Sequence, residues 1–202
     1  MNNATPEKVV VKIGSKVLSK DGELDMNVID HVTSDVADAL EQNIAQVTIV
    51  SSGSVLIGNH QLAAESSRVQ LKGDQRKQLA STIGQADLIH AYEERFRERG
   101  FDAAQTLVTR RDFSLRDRYA SMRRVFLELM RLKKVPVANE NDLLSDDELS
   151  FSDNDQLAGH TSAMIGASRL IILSNFDGLL DRLPRLGGKV IPKITDMEQA
   201  RK

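Results

Sequence analysis

Val135-Pro136-Val137-Ala138-Asn139-Glu140-Asn141-Asp142 is a short apolar run that passes directly into a polar cluster. The run reads as a buried strand, and the cluster is expected where that strand ends and its loop opens. Four further runs read the same way: Val9-Val10-Val11, Gln46 to Val50, Ala103 to Val108 and Leu170 to Leu173. Between them Val28, Val32, Val36 and Leu40 recur at helical spacing, as do Leu79, Ile83, Ala86, Ile89 and Phe96. A third helical pattern carries Tyr119, Met122, Phe126, Leu129 and Met130. Strands separated by helices imply right-handed crossovers, so the expected fold is α/β: a three-layer α/β/α arrangement with a mainly parallel sheet. There is no internal repeat, low-complexity segment or Pro/Gly-rich linker to divide the chain, and residues 1–202 are expected to form a single domain.

Composition narrows the classes of function. A chain of 202 residues with 41% hydrophobic and 28% charged residues has the make-up of an ordinary soluble globular protein. A net charge of -2 and the lack of a long basic block leave no electrostatic footprint for nucleic acid. Lys133-Lys134 and Arg123-Arg124 read as solvated helix faces. The absence of cysteine excludes disulfides and thiolate metal sites and suits a reducing compartment. Met1 to Lys8 is polar and leaves no room for a signal peptide's apolar core, and no apolar run is long enough to span a bilayer. A cytoplasmic protein with no membrane partner is the expectation. His31, His60, His90 and His160 lack metal-ligand spacing, and the acidic stretch from Asp146 to Asp155 lacks the spacing and central glycine of an EF-hand loop, so no metal is expected on protein ligands.

In open α/β sheets ligands bind outside the carboxyl ends of the strands, which gives the polar cluster its interest. A second cluster, Ser152-Asp153-Asn154-Asp155, follows it. Carboxylates there could hold an ammonium while amide or backbone N–H groups meet a carboxylate, a chemistry that suits a small zwitterion such as an amino acid. With Asp146, Asp147 and Glu148 between the clusters, an acidic solvated loop is the plainer alternative. The first strand runs into Lys12-Ile13-Gly14-Ser15, where one ammonium and a glycine turn could approach a phosphate. The second runs into Ser51-Ser52-Gly53-Ser54, a small-residue loop before a helix that could hold an anion or a carbonyl. No Walker pattern exists, and either loop alone reads as a structural turn. Three such loops at strand ends of one sheet point to a site.

These stretches resemble a known family, the glutamate 5-kinases of the amino acid kinase superfamily. The resemblance rests on Val11-Lys12-Ile13-Gly14-Ser15, Val50-Ser51-Ser52-Gly53, Lys77-Gln78-Leu79-Ala80 with Gly84-Gln85, Asn139-Glu140-Asn141-Asp142 and Asp153-Asn154-Asp155. Gln105 to Thr109, followed by Arg118-Tyr119, also fits the family's pattern. The agreement is collinear from about residue 8 to residue 185. It implies an amino acid kinase-like fold and transfer of the ATP γ-phosphoryl group to the side-chain carboxylate of L-glutamate, giving glutamyl 5-phosphate at the entry to proline biosynthesis.

Carried over position by position, the resemblance implies that Lys12 contacts the transferring phosphoryl while Gly14 and Ser15 shape the adjoining nucleotide loop. Ser52, Gly53, Asp142 and Asn154 would form the glutamate pocket, and Ser174 and Asn175 would touch nucleotide. Asp155 would orient the lysine rather than act as a base, because a glutamate carboxylate is already ionised at neutral pH. Mg²⁺ would be held mainly by ATP phosphates and water. Proline as a feedback ligand and a homo-oligomer are further expectations from the family.

The departures from the pattern are also informative. After Leu170 to Leu173 the family's Thr-Asp and Gly-Leu-Tyr-like turn is replaced by Ser174-Asn175-Phe176-Asp177-Gly178-Leu179-Leu180, so Asn175 sets a neutral amide in place of a carboxylate. The family's Gly-Thr-Gly-Gly loop, with a second phosphate-binding lysine, does not occur before Lys202, and Gly187-Gly188-Lys189 matches a different stretch. The expectation is a C-terminally incomplete amino acid kinase-like domain without the RNA-modification-type domain of many members. The alternative is a catalytically impaired amino-acid-binding or regulatory protein, or a gene fragment, that keeps the glutamate pocket. An acceptor such as acetylglutamate, aspartate or a nucleoside monophosphate is a third possibility, against which the Asn-Glu-Asn-Asp cluster speaks.

Overall fold

Apolar β-branched runs become strands because their branched side chains pack well on a pleated surface covered on both sides. A computed structural model describes residues 5–65, 67–144, 153–182 and 184–196. In it, β1 (Glu7–Ile13), β4 (Ala45–Ser51), β5 (Asp102–Val108), β6 (Lys134–Glu140) and β7 (Arg169–Leu173) build one sheet, and β2 (Ser19–Lys20) and β3 (Glu23–Leu24) form a small hairpin. The sheet order is β5-β6-β4-β1-β7 and every pairing is parallel. Each of the five expected strands is present.

The period of two along β1 separates two cores. Val9, Val11 and Ile13 pack with α1 (Met26–Glu41) and α3 (Gly73–Glu98) on one face. Val10 packs on the other, with residues of α5 (Arg116–Arg131) and α6 (Asn154–Ile165). Helices therefore cover both faces of a parallel sheet, which is the three-layer arrangement expected. The α1 pattern holds, with Val32, Val36 and Leu40 buried and Asp25 capping the helix by accepting from the Asn27 N–H at 3.1 Å. Phe126 and Met130 bury the inner face of α5.

Two expectations shift. The strand of the opening stretch does not stop at Ala138: Asn139 and Glu140 continue β6, opposite Leu107 and Val108 of β5, and the loop opens at Asn141. The buried face of α3 is also rotated from the expected one. Ala86 is exposed and Leu79, Ile83 and Ile89 are only half-buried, while Ala80, Ser81, Gly84, Gln85, Leu88, Ala91, Tyr92 and Phe96 are buried. The reason is α2 (Ser54–Gln61), which lies against α3 so closely that a Cβ on Gly58 would overlap the Ala80 backbone, and one on Gly84 the Ser54 carbonyl. Small residues are therefore required where hydropathy alone would have placed large ones. The helices α2, α4 (Arg110–Ser114) and α6 complete the set. Ser152 of the second polar cluster and Asp146, Asp147 and Glu148 between the clusters lie outside the described residues.

Candidate functional site

Chain direction changes sides at β1. Its neighbours are β4, reached through α1 on one face, and β7, reached through α6 on the other, so a crevice opens over its carboxyl end. A cleft of about 740 Å³ occupies that crevice. All ten candidate residues line it: Lys12, Gly14, Ser15, Ser52, Gly53, Asp142, Asn154, Asp155, Ser174 and Asn175. Lys189 is not among its lining residues.

Alternation on β1 directs Lys12 to the same face as Val10, where α6 begins. Its Nζ lies 2.6 Å from Asp155 Oδ1 and the residue is 9% exposed. Asp155 is held in the first turn of α6 by the N-cap Asp153, whose carboxylate accepts from the backbone N–H groups of Asp155 and Gln156, both at 3.0 Å. Negative charge in a first helical turn is favoured by the helix dipole, so the position of Asp155 owes little to Lys12 alone. Gly14 takes no left-handed conformation. A Cβ there would sit 3.6 Å from Lys12 Nζ, an ordinary van der Waals contact, so the residue lies against the lysine without a steric demand for glycine. Its carbonyl accepts from Val17 and Leu18, which folds residues 14–18 into a turn at the mouth of the cleft.

At the end of β4 the backbone does require glycine. Gly53 has φ 112° and sits at the N-cap of α2, where it supplies no side-chain cap. Beside it, Asn139 is the hub of the site and 3% exposed. Its amide donates to Gln85 Oε1 at 2.8 Å and Ser54 Oγ at 3.1 Å. Its Oδ1 accepts from the Glu140 N–H at 2.9 Å and from Asn154 Nδ2 at 3.1 Å. Asn154 also donates to Ser52 Oγ at 2.7 Å. One network thus joins the ends of β4 and β6, the start of α2, the middle of α3 and the start of α6. Deeper in the sheet, Ser51 Oγ lies 3.0 Å from the Tyr92 hydroxyl, and burial pushes that phenol's pKa up against the opposing pull of the serine.

Asp142, 9% exposed, uses both carboxylate oxygens: Oδ2 accepts from Ser81 Oγ at 2.6 Å, and Oδ1 pairs with Lys77 Nζ at 2.9 Å. Burial disfavours charge on Lys77, but the hydrogen bond and charge of Asp142, with Glu140 and Asp74 behind it, outweigh burial and hold the ammonium above its ordinary pKa. The cleft therefore carries two lysine–aspartate pairs, with the Asn139 network between the elements that hold them. Acidic and basic groups in one small space suit a ligand that carries both signs.

Lys77 and Ser81 were not recognised as site residues from the sequence. Their signal was available: Lys77, Ser81 and Gln85 recur every four residues and place a polar stripe along α3, in which Ser81 and Gln85 are buried and Lys77 reaches the cleft. Among the described residues no three His, Cys, Asp or Glu side chains converge to hold a metal ion, and no helix is long and apolar enough to cross a membrane.

Residues 7–202 match the amino acid kinase family. The chain is 42% identical over 180 residues to the glutamate 5-kinase of Oceanobacillus iheyensis, covering 88% of this chain and 47% of that protein. It is 40% identical over 188 residues to the glutamate 5-kinase of Chlorobaculum tepidum, covering 93% of this chain and 51% of that one. The chain thus spans about half the length of the curated relatives it matches. Among solved structures, isopentenyl phosphate kinase superposes with a TM-score of 0.61 over 96% of this chain and 83% of its own, at 15% identity, a likeness of fold alone.

Proposed function

This chain belongs to the amino acid kinase family, and we propose that its cleft serves transfer of the γ-phosphoryl group of ATP to the side-chain carboxylate of L-glutamate. The observation that carries this reading is the Lys12–Asp155 pair, at 2.6 Å, in the same cleft as the Asn139, Asn154 and Asp142 network. The relatives that it matches at 42% and 40% identity are named glutamate 5-kinase.

In this reading residues 1–202 act as a single kinase-like domain. Lys12 meets the transferring phosphoryl, where negative charge spreads over the equatorial oxygens and a fixed cation lowers the barrier. Asp155 keeps that ammonium aimed while the site is empty. Gly14, Ser15, Ser174 and Asn175 border the nucleotide phosphates, and Ser52, Gly53, Asp142 and Asn154 border glutamate. No general base is required, since the acceptor carboxylate is already ionised. Mg²⁺ would arrive with the nucleotide, on phosphate oxygens and water. A cytoplasmic location, self-association and proline as a feedback ligand belong to the same reading through the family.

The test is glutamate-dependent ADP release by the 202-residue chain with Mg-ATP, with Lys12→Ala alongside. Turnover is expected, and the variant should lose at least about a hundredfold in kcat, the scale for one preorganised electrostatic group. Glutamate binding by a folded chain without any turnover would replace the kinase reading with that of an amino-acid-binding protein.

A further inference from the structure

Asp142 and Lys77 hold opposite charges side by side, 2.9 Å apart, at one end of the cleft. An α-amino acid presents an ammonium and a carboxylate side by side on one carbon. We propose that the Lys77–Asp142 pair is the recognition element for the α-carbon end of the substrate, with Asp142 receiving the ammonium and Lys77 the α-carboxylate. The inference rests on the proposed amino acid substrate and names the residue that selects it.

Among side-chain donors the rest of the network leads to Lys77. Amide or backbone N–H groups were expected to meet the substrate's carboxylate, yet both side-chain amides are committed within the protein. The Asn139 amide donates to Gln85 and Ser54, and the Asn154 amide donates to Ser52 and Asn139. Lys12, beside Asp155, is already assigned to the transferring phosphoryl in the proposed reaction. The remaining cations lining the cleft are Lys16, on the exposed turn after β1, and Lys77. Lys77 is the one fixed beside Asp142. Its side chain is about half exposed while that of Asp142 is buried, so it can turn donors toward a ligand without leaving its partner. An ammonium has three donors, and the pair with Asp142 uses one of them. Ser81, holding the other oxygen of Asp142 at 2.6 Å, fixes the carboxylate so that the pair keeps its orientation. A zwitterion meeting this pair finds each charge opposite its complement, and a ligand lacking the α-carboxylate forfeits a hydrogen bond between charged groups.

The deciding measurement is calorimetric binding of L-glutamate and of its α-amide, isoglutamine, which keeps the ammonium and the side-chain carboxylate but has no charge at the α-carboxyl. The unaltered chain should favour glutamate by at least about tenfold, the discrimination expected from a hydrogen bond to a charged group. Lys77→Met should bring that ratio close to one, and Lys77→Arg should restore most of it. A purely structural role for Lys77 would weaken both ligands alike and leave the ratio unchanged, which would overturn the inference while the glutamate-kinase reading stood. Equal binding of the two ligands by the unaltered chain would overturn it without any variant. A ratio that collapses in Lys16→Met but not in Lys77→Met would overturn it by assigning the role to Lys16. No glutamate binding to a folded chain would remove both this inference and the function on which it rests.

Discussion

Asn139 concentrates the logic of the site in one side chain. A buried amide has two donors and one acceptor oxygen to satisfy, and here both ends are used by residues from three other segments and by the neighbouring Glu140 N–H. Truncation to Asn139→Ala leaves the buried Gln85 Oε1 without its donor, while the Asn154 amide keeps Ser52 Oγ and the Ser51 carbonyl, so a loss of about 2 kcal/mol in urea denaturation is expected. Asn139→Asp tests the same point electrostatically. The new carboxylate would be buried in a cleft that already holds Glu140 and Asp142, so its folded pKa would be raised above the unfolded value of about 4. A group raised in this way costs stability once pH exceeds its unfolded pKa, because only the unfolded state then ionises freely. The deficit of Asn139→Asp relative to the parent should be small at pH 4 and larger at pH 7. An equal deficit at both would mean that the lost donors, not the charge, account for it. The sequence marked Asn139 as polar and close to a strand end. It did not mark it as a ladder residue, because hydropathy ends the strand at Ala138 whereas the hydrogen bonds to β5 continue through Glu140.

At the scale of elements, the contact of α2 with α3 decides where the polar stripe of α3 falls. Gly58 and Gly84 let the two backbones approach to a distance that no side chain would allow, and that approach brings Lys77 to the cleft and Ser81 against Asp142. Gly84→Ala would set a methyl group into the Ser54 carbonyl and force the helices apart, with an expected cost of about 3 kcal/mol by overpacking. Gly159→Ala provides the contrast. It lies within α6 with nothing inside 4 Å of an added Cβ, and should stabilise by about 0.5–1 kcal/mol through helix propensity. Thermal unfolding of the two variants should shift in opposite directions, and a neutral Gly84→Ala would contradict the close approach. The strands, α1 and α5 were legible because their buried faces are apolar. The buried face of α3 was not, because Ala80, Ser81, Gly84 and Gln85 are small or polar for reasons that lie on another helix and at the site.

For the molecule as a whole, the alternation of strands and helices made a parallel three-layer fold legible, but the order of the strands was not. Placing β6 between β5 and β4, and β7 beyond β1, depends on which faces meet, which no strand's own pattern states. The order has a consequence at its β7 end. Lys12 stands on β1, an inner strand that is largely buried, whereas Leu170, Ile171 and Ile172 of β7 are 38–45% exposed. Phe176 and Leu179, in the segment that follows, add 47% and 57% exposed side chains to the same end of the molecule. An apolar strand at a sheet edge offers unpaired backbone groups together with a hydrophobic surface, the combination that favours association between chains. Charge at such an edge opposes that association, and Ile171 is central to the strand and paired in register with Val11. Ile171→Lys is therefore expected to raise, by severalfold, the protein concentration at which light scattering first increases, while the far-ultraviolet circular dichroism of the folded chain is retained. An unchanged threshold with the fold intact would mean that this edge does not drive association, and the search would move to the exposed Leu143 and Leu144 beyond β6.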